Sequence, residues 1–154
     1  MAQVEVGKLI AVEYSDSGNS LGNMYRIETS ENDQGEPIVT EYNSPMHSDP
    51  ATIREYRAPE DLIDRISAIV DEAGMKDWGD LPMSEFIPLD ASTPRITLVF
   101  EPANSESRFP VRINFSTWDE LPEGGTDSFN AVRNELQACL VEENLIREYM
   151  EERR

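Results

Sequence analysis

The sequence of 154 residues is poor in the residues that most often bind metals or act as nucleophiles: it has one cysteine and one histidine. A single cysteine, Cys139, excludes an internal disulfide and any zinc site built from paired cysteines. The single histidine, His47, is the only imidazole base for a Ser–His–Asp or Cys–His site. Because Pro45 and Pro50 bracket it, we expect His47 to lie in an exposed loop rather than in a catalytic site.

Long apolar runs are also missing. The longest aliphatic run spans residues 9–12, which is too short to cross a membrane as a helix. The first residues carry neither a basic cluster nor a long apolar stretch, so we expect no secretory signal. Together with a lone thiol, which suits a reducing compartment, these features predict a cytoplasmic protein that does not associate with membranes.

Basic residues are few. The chain has 13 Lys and Arg against 31 Asp and Glu, a formal net charge of −18. Residues 1–77 carry 16 acids and 6 bases, and residues 78–154 carry 15 acids and 7 bases, so the excess is uniform. Such a surface repels phosphate backbones and favours basic partners. The charge therefore predicts no direct contact with nucleic acid, and a protein partner that is basic if binding is electrostatic.

Motifs that hold cofactors or metals are not found. The chain has neither Gly-rich phosphate loop, no HExxH and no paired CxxC. Residues 16–20 resemble the start of a calcium loop, but Leu21 occupies the sixth position, where such a loop needs glycine. Cys139 falls on the apolar side of a predicted helix, where a thiol behaves as a small hydrophobe. We therefore predict no cofactor, no metal ligand and no catalytic residue.

Alternating apolar residues in the first 57 positions are typical of strands with one buried face. Residues 25–29 and 38–42, separated by the turn-forming residues 32–35, predict a hairpin, and residues 53–57 predict a fourth strand. Lys8 interrupts the first strand, which indicates a bulge or an edge. The residues that share the buried parity of that first strand are Val4, Val6, Ile10, Val12 and Tyr14.

A helix is predicted between Pro59, which suits a helix start, and Gly74, which suits the residue after a helix end. Asp61 and Arg65 lie four residues apart and predict an ion pair. Trp78 follows the helix, and we expect it to pack back onto it. The apolar stripe of this helix consists of Leu62, Ile63, Ile66, Ile69, Val70 and Ala73.

A second hairpin and a final helix follow. Residues 96–100 and 109–115 alternate cleanly, and Pro110 indicates an edge position or a strand start. A long last helix is predicted to begin with Thr126 or Asp127 as its cap. Its predicted stripe is Phe129, Val132, Leu136, Leu140 and Tyr149, with Cys139, Ile146 and Met150 alongside.

This order of strands, helix, strands and helix, joined by short turns, predicts an α+β fold. We expect an antiparallel sheet of about five to seven strands with two helices packed on one face. The length predicts one domain over residues 1–154, made of two successive strands-then-helix halves, 1–74 and 75–154.

The candidate contact residues are Trp118, Asp119 and Glu120. They precede residues 121–125 (LPEGG), so an aromatic ring, acids and glycines meet there. One interpretation is a binding loop that leads into a helix N-terminus, whose free N–H groups accept anions. The alternative is a structural loop in which the acids start the helix and the tryptophan packs on the sheet.

A resemblance covers about the last 80 residues. Its elements are Trp78, the LDAST sequence of residues 89–93, the second hairpin, LPEGG and Phe129. This pattern resembles that of small uncharacterised bacterial α+β proteins. The group has no assigned activity, so the resemblance implies a bacterial origin and no function.

Three functions remain open from the sequence. The first is a non-enzymatic interaction or binding module, with a homodimer through a sheet edge as one form of it. The second is an acidic mimic of nucleic acid, or an inhibitor of a basic protein, whose binding depends strongly on salt. The third is a carboxylate-based, metal-assisted hydrolase, which requires several acids to converge in one cleft. The residues favour a role without catalysis.

Overall fold

Seven strands form one antiparallel sheet in the computed structural model, so the predicted α+β class is confirmed. The order across the sheet is β6-β5-β1-β2-β3-β4-β7. The residues that the structure describes are 5–17, 23–45, 50–83, 93–104 and 108–151. The strands are β1 Val6–Ser17, β2 Met24–Glu31, β3 Pro37–Ser44, β4 Ala51–Arg57, β5 Thr93–Pro102, β6 Val111–Ser116 and β7 Leu145–Glu151. The helices are α1 Leu62–Ala73 and α2 Gly125–Gln137, with 3₁₀ segments at Met75–Asp80 and Glu142–Asn144.

Some predictions concern residues outside the described ranges. His47 and most of the LDAST sequence, residues 89–92, lie outside them. The calcium-loop comparison also falls largely outside, because residues 18–20 are not described.

The first hairpin and the strand that follows it are confirmed. β2 and β3 pair from Met24 opposite Ser44 to Glu31 opposite Pro37. In the turn between them, Asn32 Oδ1 accepts hydrogen bonds from the backbone N–H groups of residues 34 and 36, both at 2.9 Å. The side-chain oxygen thus accepts from N–H groups for which a tight turn offers no backbone acceptor. This role of asparagine fits the turn-forming composition of residues 32–35.

β1 is an interior strand between β5 and β2, but its register with β2 runs only from Glu13 to Ser17 and does not reach Lys8. The pairing with β5 shifts register on both sides of Leu9, which confirms an irregularity near Lys8. The shift reverses the inward and outward positions of the strand, because side chains alternate with a period of two. Leu9 is therefore buried and Ile10 is exposed, so the prediction that Ile10 shares the buried face of Val12 is wrong.

α1 has the predicted stripe and the predicted end. Leu62, Ile66 and Val70 are buried, and the helix ends at Gly74, whose φ of 69° is readily accessible to glycine. Arg65 lies 3.8 Å from the Asp61 carboxylate, so the predicted ion pair is present. No helix in the described part of the chain is long and apolar enough to span a membrane.

The second hairpin differs from its prediction at one end. β5 and β6 pair as expected, with Leu98 opposite Ile113, and β6 is an edge strand that begins directly after Pro110. Phe109 lies outside the strand and is 79% exposed, so the prediction that it begins the alternating strand of residues 109–115 is wrong. Because Pro110 has no N–H to donate, the strand begins after it.

The long final helix is the largest error of the sequence-based prediction. α2 ends at Gln137, and its N-cap is Gly124 rather than Thr126 or Asp127. Seven residues of the predicted helix form β7, which pairs with β4. Tyr149, predicted in the helical stripe, and Ile146 and Met150, predicted alongside it, therefore belong to a strand and are exposed.

Local contacts after α2 lead the chain away from the helical path. Val141 is extended, with φ −121° and ψ 150°. Asn144 Nδ2 donates a hydrogen bond of 3.1 Å to the carbonyl oxygen of Cys139. Such side-chain bonds satisfy the carbonyls that a helix end leaves free, and the following residues then gain ladder bonds from β4.

The core is formed where the sheet meets the helices. Phe129 of α2 is fully buried, and its ring lies edge-on to Tyr14 and Phe115, with centroid distances of 6.4 and 6.0 Å. Trp78 is buried in the 3₁₀ segment after α1, and its ring centroid lies 5.0 Å from that of Phe115, so it belongs to the core. Other buried members of this cluster are Leu9, Val12, Ile27, Val39, Leu62, Ile66, Val70, Met75, Ile96, Leu98, Phe100, Ile113, Val132, Leu136 and Cys139.

Candidate interaction surface

The predicted contact residues lie in a tight connection after β6. The backbone N–H of Ser116 donates to Asp119 Oδ2 at 2.7 Å, and the N–H of Trp118 donates to the Ser116 hydroxyl at 3.2 Å. The N–H of Glu120 donates to the Pro82 carbonyl at 2.8 Å. These bonds hold the loop in one shape and engage the Asp119 carboxylate, while Glu120 remains exposed.

The loop leads to the N-terminus of α2, where a cleft of about 460 Å³ lies beside Trp78. Glu72, Glu123 and Asp127 line this cleft. Carboxylates at these positions repel an anion, which opposes the interpretation of the helix N-terminus as an anion site. The geometry of the loop thus fits a structural role, and its role in binding stays a prediction.

Glu13, Arg26 and Glu28 form a charged group on the sheet. Glu13 and Glu28 lie directly opposite each other on β1 and β2. Arg26 Nε is 3.5 Å from Glu13 Oε1 and 3.9 Å from Glu28 Oε2, so one guanidinium serves two carboxylates. The same guanidinium lies over the Tyr42 ring, 4.9 Å from its centroid.

Glu13 lies in a setting that disfavours its charge. Burial raises the pKa of the Glu13 carboxyl above its ordinary value of 4.5, Arg26 opposes the rise, and Glu28 adds to it. The raised pKa means that protonation of Glu13 favours the folded state. The stability from this group is complete below pH 4.5 and is lost as the pH rises through the folded-state pKa.

We expect Glu13→Gln to raise the free energy of unfolding at pH 7 by up to about 1 kcal/mol, the range of exposed ion interactions. The gain should shrink as the pH falls and disappear well below pH 4.5, where Glu13 itself is protonated in both states. Urea unfolding at several pH values measures it. Glu60→Gln, at an exposed site, is the control. A gain that persists at low pH would contradict the electrostatic cause.

A row of polar side chains connects β2, β3, β4 and β7 on the face of the sheet opposite to Glu13. The Tyr25 hydroxyl donates to Glu41 Oε2 at 2.5 Å, and burial raises the pKa of Tyr25, so the hydroxyl stays a donor. Arg54 bridges Glu41, at 3.7 Å, and Glu148 of β7, at 2.5 Å. The sequence offered one signal for this ladder: Glu41 shares the strand parity of the buried Val39.

β7 forms one edge of the sheet, and every residue in it except Leu145 is exposed. Arg147 Nε donates to Glu55 Oε2 of β4, and its guanidinium lies over the Tyr149 ring at 4.6 Å. Both charged residues in the middle of β7, Arg147 and Glu148, thus turn toward β4 side chains. Sequence reasoning missed this surface because it placed the residues in a helix.

Two observations in the described ranges concern metal binding and the thiol. No cluster of three or more His, Cys, Asp or Glu residues able to hold a metal ion occurs there. Cys139 is 3% exposed, and its thiol lies 3.6 Å from the Glu135 carbonyl oxygen. Burial raises the pKa of the Cys139 thiol, which keeps it protonated and poorly nucleophilic.

We expect Cys139 to react with a thiol-specific dye at least about tenfold more slowly in the native protein than in urea, because burial limits both access and ionisation. The rate of dye release measures this. Rapid labelling of the native protein would contradict the buried position of the thiol.

Comparisons with protein-family models, curated proteins and solved structures find no match for this chain. The resemblance to small bacterial proteins, based on LDAST and LPEGG, therefore stays a prediction. The function has to be argued from the surface of the molecule itself.

Proposed function

We propose that this protein is a non-enzymatic interaction module that binds a basic protein partner. The observation that carries the proposal is the excess of exposed carboxylates in the described ranges, many of which lie outside the ion pairs found there. Such a surface attracts a partner of opposite charge and speeds the encounter.

The ion pairs of the described residues use only a part of the acids. The paired carboxylates are those of Glu13, Glu28, Glu41, Glu55, Asp61, Glu135 and Glu148. Exposed acids outside these pairs include Glu60, Asp64, Asp71, Glu72, Glu101, Glu123, Asp127, Glu142, Glu143 and Glu151. They are spread over both helices, over β5 and β7, and over loops, so the field is not confined to one tail.

The proposal includes the arrangement of the layers. α1 and α2 cover one face of the sheet and leave the other open to a partner. The register of β1, β5 and β6 supports this arrangement. Tyr14 lies opposite Ile96, and Ile96 lies opposite Phe115, so the three side chains share one face. The rings of Tyr14 and Phe115 on that face lie against Phe129 of α2. Glu13, on the opposite parity, belongs to the open and polar face.

The test is an affinity pull-down from native lysate with the tagged protein as bait. Washes at about 0.1 M and about 1 M salt shorten the Debye length from roughly 10 to 3 Å. We expect one enriched basic protein that is retained at low salt and lost at high salt. A second acidic protein of similar net charge and different fold is the control for unspecific retention.

Other outcomes contradict the proposal. A partner that survives high salt has an apolar interface, and no enriched partner at either salt leaves binding without support. Where the partner is itself a nucleic-acid-binding protein, and duplex DNA displaces it, the module acts as a nucleic-acid mimic. That result identifies the acidic-mimic alternative as the form that the interaction takes.

A further inference from the structure

We infer that the basic partner presents an extended segment that pairs with β7 as an eighth strand of the sheet. The inference rests on the proposed function and names its site. The juxtaposition that supports it is an open strand edge among acidic side chains.

The outer edge of β7 offers unused hydrogen-bonding groups. β7 is the last strand of the sheet, and within the described part of the chain no other segment bonds to its outer side. In an antiparallel ladder, every second residue points both its N–H and its C=O away from the neighbouring strand. A seven-residue strand such as Leu145–Glu151 thus presents several donor and acceptor pairs in one row.

The two edges of the sheet differ in how well they are protected. Natural edge strands commonly carry proline, lysine or a short length that prevents a further strand from pairing. β6 has Pro110 directly before it and Arg112 as its one charged residue. β7 contains neither proline nor lysine, and two of its three charged residues, Arg147 and Glu148, are bonded to side chains of β4. The β7 edge is therefore the one open to strand addition.

Charge selects the kind of segment. Four glutamates and one arginine lie in residues 142–151. Arg147 is bonded to Glu55 and Glu148 to Arg54, so Glu142, Glu143 and Glu151 remain outside the ion pairs of the described residues. Lysine or arginine side chains of an added strand therefore meet an acidic surround. Exposed apolar side chains, Tyr149 at 38% and Met150 at 66%, offer contacts on the two faces of β7. A segment that alternates basic and apolar residues places its apolar side chains on one face, beside Tyr149 or Met150, and its basic side chains on the other.

A second copy of the chain is the less favoured occupant. Two molecules with a net charge of −18 repel each other, and that repulsion is absent for a basic segment. Peptide recognition by strand addition also draws its affinity from main-chain bonds and its specificity from alternate side chains. Both properties match what β7 presents.

The probe is a synthetic peptide of about eight residues, the length of a strand, in which lysine and valine alternate. Its control is a twin of equal charge with two valines replaced by proline, which cannot donate ladder bonds. We expect the first peptide to bind at least about tenfold more tightly at 0.1 M salt, a difference of about 1.4 kcal/mol. Amide hydrogen exchange should show new protection confined to β7.

Two variants place the site. Met150→Lys adds a positive charge to the β7 edge and should weaken binding of the lysine–valine peptide at least about tenfold. Phe109→Lys makes the same charge change at the opposite side of the sheet, at a more exposed site, and should change the affinity less than about threefold.

The outcomes separate the inference from the proposed function. Equal binding of the two peptides overturns strand addition and leaves electrostatic attraction to a basic partner standing. Equal loss in both variants overturns β7 as the site. Binding of neither peptide overturns strand addition, while the pull-down still decides the proposed function. A dimer in sedimentation that Met150→Lys dissociates would assign the edge to a second copy and overturn the basic segment.

Discussion

Phe129→Ala should lower the free energy of unfolding by about 3–5 kcal/mol, the usual loss for a fully buried phenylalanine. The ring is buried among Tyr14 and Phe115, and both contacts have the edge-on geometry that aromatic pairs prefer. The cavity that the alanine would leave lies where α2 meets the sheet. We expect the backbone of these regular elements to move little to fill it. A domain of this size has a total stability of about 5–15 kcal/mol, which makes the loss a large fraction.

Urea unfolding measures the loss, with Phe109→Ala as the matched control. Phe109 is 79% exposed, so its truncation should change stability by no more than about 0.5 kcal/mol. Phe129→Leu, which retains most of the volume, should fall between the two and remain measurable if Phe129→Ala fails to fold. Equal stability of the two alanine variants would show that Phe129 does not pack between the helix and the sheet.

Phe129 also illustrates what the sequence predicts well. Its position in a helical stripe followed from local spacing alone, as did the burial of Ile96, Leu98 and Phe100 in β5. In each case one uninterrupted helix or strand has one face packed against the core. The pattern of apolar residues and the geometry of the element then carry the same information.

β7 shows where local spacing fails. Residues after Gln137 continue the helical spacing of apolar side chains, and neither proline nor glycine interrupts them. Their pairing with β4 joins positions far apart in the chain: Arg54 and Glu148 are separated by 94 residues. Contacts of that kind override helix propensity, and periodicity within a window of some 15 residues does not register them.

The candidate surface was unpredictable for the same reason. The pair of Tyr25 and Glu41 depends on the register between β2 and β3, and a slip of one residue would move every side chain to the other face. The irregularity near Leu9 likewise depends on its pairing with β5. Sequence alone located the acids and the first six strands, but neither β7 nor the acids that share an edge with it.

Gly125→Ala should lower the free energy of unfolding by about 1–3 kcal/mol, the usual cost of overpacking. A Cβ atom added at residue 125 would lie 2.8 Å from Leu121 Cβ and 3.1 Å from the Trp78 ring. Helix propensity acts in the opposite direction and favours alanine over glycine by up to about 1 kcal/mol. The contact with Leu121 prevails, because that atom adjoins the backbone and cannot rotate away.

The matched control is Gly79→Ala, where the nearest atom to an added Cβ is Ile113 Cγ2 at an ordinary 3.6 Å. Its stability should stay within about 0.5 kcal/mol of the parent. Urea midpoints of the two variants therefore separate the clash from the general effect of replacing a glycine. If Gly125→Ala were as stable as Gly79→Ala, the LPEGG segment would not be packed tightly against Trp78. If Gly125→Ala is less stable than Gly79→Ala, packing against Leu121 and Trp78 is enough to explain why residue 125 of LPEGG is glycine. A ligand-binding role of this motif is then not needed to explain the glycine.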